Sequence, residues 1–134
     1  MIISRGQLNE MIEHAKAEYP KEACGILGGK DGRVERVYRM RNVDASTVTY
    51  LMDSKEWIMV DKKLRESGES LIGIYHSHTS SESYPSLRDI ELAPLTFYPE
   101  AEYVIISLSN MGSPEIKSYN IIDGSVLEKE IVIV

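Results

Sequence analysis

The last third of the 134-residue chain constrains its fold most. Ala101 to Leu108, Ile116 to Ile122 and Val126 to Val134 are rich in Ile, Val and Tyr, side chains that suit a pleated, half-buried surface. Asn110-Met111-Gly112 and Asp123-Gly124 interrupt this stretch with residues that accept the backbone angles of tight reversals. The pattern predicts three consecutive strands, running antiparallel, so the architecture must be built around a sheet.

Upstream, Leu8, Met11, Ile12 and Ala15 recur at helical spacing. With Ser4 as a cap and Pro20 as a block, they predict an amphipathic helix ending near Tyr19. Ala23 to Leu27 reads as a strand ended by Gly28-Gly29. After the turn-like Lys30-Asp31-Gly32, Arg33 to Met40 alternates as its hairpin partner. Asp53 or Ser54 can cap a second helix reaching about Ser67, with Trp57, Ile58, Met59, Val60 and Leu64 on its apolar side. Ser70 to Tyr75 reads as a buried strand, Thr79 to Pro85 as a loop and Ser86 to Leu92 as a short helix. The fold class is therefore α/β or α+β. Residues 1–134, with no repeat or linker, are expected to form a single mixed-sheet domain flanked by helices.

Charge and cysteine content narrow the functions. A net charge of -6 and a pI near 5.1 argue against nucleic acid or an anionic membrane as partner, since both require clustered Lys and Arg. No apolar run approaches the roughly 20 residues that span a bilayer. Met1 to Tyr19 carries Arg5, Glu10, Glu13, Lys16 and Glu18 where a signal peptide would be apolar. A cytoplasmic protein is expected. The single Cys24 cannot form an internal disulfide; as a thiol two residues after Glu22 in an apolar strand, it is read as a buried small residue rather than a nucleophile.

The chemistry lies around the third predicted loop. In an extended chain, residues i and i+2 project to one side, so His76 and His78 can meet one metal ion. Catalytic zinc takes three protein ligands and leaves a fourth corner to water. Asp89 is the natural third ligand, with Glu82 and Glu91 as other carboxylates in range. Spacing alone leaves a second reading open: two polar histidines at a strand end, and Ser86 with Asp89 as a capping box. Both can hold at once, because a helix N-terminus also offers positive potential to a developing anion. Elsewhere, His14 among Glu10, Glu13, Lys16 and Glu18 reads as part of a solvated face. Trp57, Met59 and Tyr50 read as core, and Tyr84-Pro85 as a pair able to touch substrate.

His76-Ser77-His78, seven residues, Ser86, two residues and Asp89 together resemble the signature of the JAMM (JAB1/MPN/Mov34) metalloprotease family. Pro20-Lys21-Glu22-Ala23-Cys24-Gly25-Ile26-Leu27 resembles the segment in which that family carries its glutamate. The resemblance spans essentially the whole chain and implies a mixed sheet with helices, similar in outline to cytidine deaminases. It implies Zn2+ held by His76, His78 and Asp89, with Glu22 as general base and acid and Ser86 steadying the oxyanion. Within the family, Tyr75 to Thr79 with Glu82 and Tyr84-Pro85-Ser86 resembles small bacterial enzymes that release cysteine from a ubiquitin-like sulfur-carrier protein with a C-terminal Gly-Gly. A general isopeptidase and a metal-free scaffold module are the alternatives. The oligomeric state stays open, a homodimer included.

Overall fold

The parity of two central strands decides which side chains face which layer. The computed structural model describes residues 1–95 and 98–134. In chain order these form β1 (Ile2–Ile3), α1 (Arg5–Glu18), β2 (Cys24–Lys30), β3 (Arg33–Met40), α2 (Ser54–Glu66) and β4 (Ser70–His78). Then follow α3 (Leu87–Leu92), a 3-10 turn at Ala93–Leu95, β5 (Glu102–Ser107), β6 (Glu115–Ile122), β7 (Ser125–Lys129) and β8 (Val132–Ile133). The eight strands form one sheet in the order β7-β6-β5-β4-β2-β3-β1-β8. β4 and β5 are parallel, as is β1 with both β3 and β8; the other neighbours are antiparallel. This is the mixed α+β architecture expected from the sequence.

Met11 and Ala15 of α1 pack on Ala23, Leu27, Tyr75, Val104 and Ile106. On the opposite face, Val60 and Leu64 of α2 pack with Cys24, Ile26 and Met40. In β2, and in β4 from Gly73 onward, odd positions therefore face α1 and even positions face α2; a bulge at Ile72 reverses the order before it, so Leu71 packs on the α2 side and Ile72 on the α1 side. The sheet also curls. Lys129 closes β7 at one edge and Val132 opens β8 at the other, a gap that three Cα steps cover in at most about 11 Å. Eight strands laid flat would be about 33 Å across, so the edges must bend towards each other.

Several expectations are corrected. The stretch Val126 to Val134 is two strands, and β8 leaves its neighbour to pair with β1, a short strand with no pattern of its own. β2 runs through Gly28-Gly29 to Lys30 with a register shift there. A side chain at Gly29 would run into the Arg33 carbonyl, so the glycines permit a bulge rather than end the strand. β4 extends to His78, keeping both histidines in the ladder opposite Ile105 and Ser107. Ile58 and Met59 are exposed at 66% and 60%, because only Trp57, Val60 and Leu64 share one stripe of a 3.6-residue helix.

His14 is the sharpest correction: it is buried, and its Nδ1 lies 2.7 Å from the Tyr75 hydroxyl. Position 14 follows Met11 by three residues and adjoins Ala15, so it belongs to the stripe that faces the sheet; its acidic neighbours occupy other faces. Tyr75 in turn lies over Gly25, where any side chain would collide with the ring. Burial and Arg39 push the His14 pKa below 6.5, against the opposing pull of Glu18. The unfolded chain then binds more protons than the folded one below about 6.5, so stability falls as pH drops through that window, by at most about 1.4 kcal/mol per pH unit. Urea unfolding at pH 7.5 and 5.5 should show a smaller acid loss in His14→Gln than in the parent; equal losses would assign the acid sensitivity elsewhere.

Candidate active site

His76 and His78 occupy even positions of β4 and point to the α2 face at the strand's end. Ser77, on the other face, fastens β4 to the start of β2: its Oγ accepts from Ala23 N at 2.8 Å and its own N–H donates to the Ala23 carbonyl at 3.0 Å. Cys24 is in register with His76, and Glu22, two residues before it, is buried with 4% exposure. Its backbone is clamped from the segment after β3. The Glu22 N–H donates to the Ser46 carbonyl at 2.8 Å, and Asn42 Nδ2 donates to the Glu22 carbonyl at 3.0 Å.

The loop after β4 returns Asp89 to the histidines. Ser107 Oγ donates to the Ser81 carbonyl at 2.6 Å, the Tyr119 hydroxyl to the Ser83 carbonyl, and Thr79 Oγ1 to the Thr47 carbonyl at 2.9 Å. Ser86 caps α3: its Oγ accepts from Asp89 N at 3.1 Å, and its own N–H donates to Asp89 Oδ2 at 2.9 Å. That same Oδ2 lies 3.1 Å from His76 Nε2 and 3.1 Å from His78 Nε2, and the two imidazole nitrogens are 3.1 Å apart. The capping box of Ser86 and Asp89 is therefore present, and it leaves the same carboxylate oxygen where it could also ligate an ion with the two histidines. Glu82 enters through its backbone carbonyl, which lies 2.8 Å from His78 Nδ1, and its side chain and that of Glu91 stay outside the cluster. Among the described residues, His76, His78 and Asp89 are the group whose atoms could hold one ion.

This donor set fits a metal. Bonds of about 2.0–2.1 Å at tetrahedral angles would separate ligand atoms by about 3.3 Å, close to the spacing seen. Geometry assigns the Nδ1 proton of His78 to the Glu82 carbonyl, leaving an Nε2 lone pair for the shared point. Burial lowers the His76 pKa against the pull of Asp89; it acts likewise on His78, but Asp89 and the Glu82 carbonyl outweigh it and the shift is upward. Burial also works against an ionised Asp89, yet the two imidazoles and the Ser86 amide hold its carboxyl well below the usual range. Glu22 behaves oppositely: burial raises its pKa from 4.5 to about 7, opposed by His78 and Arg88 and reinforced by Asp89. A carboxyl poised near neutrality suits proton transfer in both directions. Cys24 is buried and its thiol pushed up to about 12, which keeps it protonated and fits the reading of a packing residue.

Sequence reasoning missed Asn42, an ordinary loop residue without a motif. Its Nδ2 also donates to the Thr49 carbonyl, and its Oδ1 accepts from Asp44 and Leu51 N–H groups. One side chain thereby shapes the loop that clamps Glu22. Asn42→Ala should destabilise the fold by about 2 kcal/mol and lower turnover more than substrate binding, measured by urea unfolding and by kcat against KM; unchanged values in both would remove Asn42 from the account.

A buried glutamate with its carboxyl raised to about 7 and a His-His-Asp cluster at the end of a mixed sheet are what a hydrolase of the peptidase class requires, and the chain's relatives place it in that class. The chain belongs to the family described as prokaryotic homologs of the JAB domain, which matches residues 4–122. A relative from Mycobacterium tuberculosis, a CysO-cysteine peptidase, is 38% identical over 136 residues, covering 100% of this chain and 91% of the relative. A probable TtuB-protein conjugate cleaving protease from Thermus thermophilus is 40% identical over 94 residues, 69% of this chain and 63% of that one. Among solved structures, a Desulfitobacterium hafniense protein is similar at TM-score 0.89 and 40% identity over 100% of this chain and 93% of its own. A JAB1/MPN domain protein from Archaeoglobus fulgidus follows at TM-score 0.64 and 25% identity over 98% and 99%.

Proposed function

We propose that the chain is a zinc-dependent hydrolase, acting as a single domain in the cytoplasm, that cuts the amide bond after the C-terminal Gly-Gly of a ubiquitin-like sulfur-carrier protein and releases cysteine. The observation that carries this reading is the convergence of His76 Nε2, His78 Nε2 and Asp89 Oδ2 at 3.1 Å beside the buried Glu22. The mycobacterial relative, similar along the whole of this chain, supports the substrate class by its name.

His76, His78 and Asp89 would hold the ion. Zinc held there would supply Lewis acidity and would lower the pKa of a water enough for attack at neutral pH. Glu22, poised near 7, takes the proton from the attacking water and hands it to the leaving amine of cysteine. The products are the carrier's glycine carboxylate and free cysteine, with no covalent enzyme intermediate. Ser86 Oγ accepts from Asp89 N, which leaves its own hydrogen to donate to the oxyanion that forms as the carbonyl is attacked.

A broader deconjugase is the second reading, favoured by the Thermus relative's name. The two separate in one experiment in which the zinc-loaded protein is given a carrier bearing C-terminal Gly-Gly-Cys and the same carrier joined to a lysine side chain, with products weighed by mass spectrometry. Faster cleavage of the cysteine adduct is expected. Equal rates would replace cysteine release by general deconjugation, and no cleavage of either would favour a scaffold role.

A further inference from the structure

The two histidines of the cluster are not held in the same way. His78 has its Nδ1 fixed 2.8 Å from the Glu82 carbonyl, the usual outer partner of a metal-ligating imidazole. His76 is 1% exposed, and its Nδ1 is buried with no hydrogen-bond partner among the described residues. What it has instead is Tyr50: the two rings are stacked with centroids 4.6 Å apart and planes 26° from parallel.

We infer that Tyr50 is a positioning residue that fixes the plane of the His76 ring for metal binding, in place of the missing hydrogen bond; the inference rests on His76 being a ligand. Rotation of His76 about its Cβ–Cγ bond would drive a ring edge into the Tyr50 face, so the stack restricts a torsion that turns the Nε2 lone pair away from the shared point. Tyr50 cannot easily give way. Its ring packs against the buried cluster of Cys24, Ile26, Met40, Val60 and Leu64. Its flanks are tied to one side chain, the Thr49 carbonyl accepting from Asn42 Nδ2 and the Leu51 N–H donating to Asn42 Oδ1, both at 3.0 Å. A flat aromatic face is what the role requires; the hydroxyl takes no part in it.

The test is the Zn2+ dissociation constant, measured by chelator competition on the parent, Tyr50→Phe and Tyr50→Leu, with urea unfolding of each metal-free protein alongside. Tyr50→Phe should bind as the parent does. Tyr50→Leu should bind about 10–100-fold more weakly, the range for losing an outer-shell partner, and excess zinc should restore its turnover. Should Tyr50→Leu not fold, Tyr50→Met, which fills the space without a ring, takes its place under the same criterion. Parental affinity in the non-aromatic variant, whatever its stability, would overturn the positioning role while leaving the metal site intact. A parent protein that binds no zinc would overturn the site and this inference together.

Discussion

Glu22→Gln is expected to keep its metal and lose turnover by about 10²–10⁴-fold, the usual contribution of a positioned proton carrier. The substitution preserves shape, and the contacts that clamp position 22 come from its backbone N–H and carbonyl. Only the ability to take and return a proton is removed. The side chain is buried and its carboxyl raised to about 7, so a neutral amide also relieves the cost of burying a charge. The metal-free variant should therefore melt no lower than the parent at pH 8. Elemental analysis and steady-state kinetics on one preparation check both halves. Turnover within a few-fold of the parent would remove Glu22 from its role; loss of the metal would mean that it acts through the ion's ligands instead.

Asp89→Ala should abolish both metal binding and activity. One oxygen of this side chain meets His76 Nε2, His78 Nε2 and the Ser86 N–H, so its removal opens the cluster and takes away one half of the capping box of α3, the Ser86 Oγ cap on the backbone N–H of residue 89 remaining. Asp89→Asn separates the two effects, because an amide oxygen can still accept from Ser86 while the negative charge is gone. If four ligands share a binding free energy of 10–16 kcal/mol, each contributes about 3 kcal/mol, so Asp89→Asn should bind zinc more than about 100-fold more weakly. Chelator competition on the two variants checks this. Parental affinity in Asp89→Asn would show that the carboxylate serves only as the acceptor for the Ser86 N–H in the capping box.

These residues differ in how plainly the sequence announces them. His76 and His78 follow from the two-residue period of a strand, and Ser86 with Asp89 from the local rule for a helix start, since both patterns act within a few positions. Nothing local connects Glu22 to them. Their meeting depends on the pairing of Cys24 with His76 across two strands, and only resemblance to a family supplied it. Asn42 and Tyr50 lie in an irregular loop whose shape is set by tertiary hydrogen bonds, so no period marks them. His14 was legible but misread: its charged neighbours suggested a wet face, while its spacing from Met11 and Ala15 pointed inward. The division of the last strand at Glu130-Ile131 was hidden because β7 and β8 are equally rich in strand-forming residues, and only the curl of the sheet brings β8 to the far edge.

On the proposed reading, this chain hydrolyses the bond after a carrier's Gly-Gly only with the metal that His76, His78 and Asp89 would hold. The most direct test of that reading follows the mass of a Gly-Gly-Cys-tailed carrier with protein stripped by a chelator, then with the same protein given one equivalent of zinc. The expected result is an intact carrier with stripped protein, loss of one cysteine residue when zinc is restored, and no loss with Asp89→Ala under either condition. Cleavage by the stripped protein at the restored rate, or an intact carrier throughout, would contradict it.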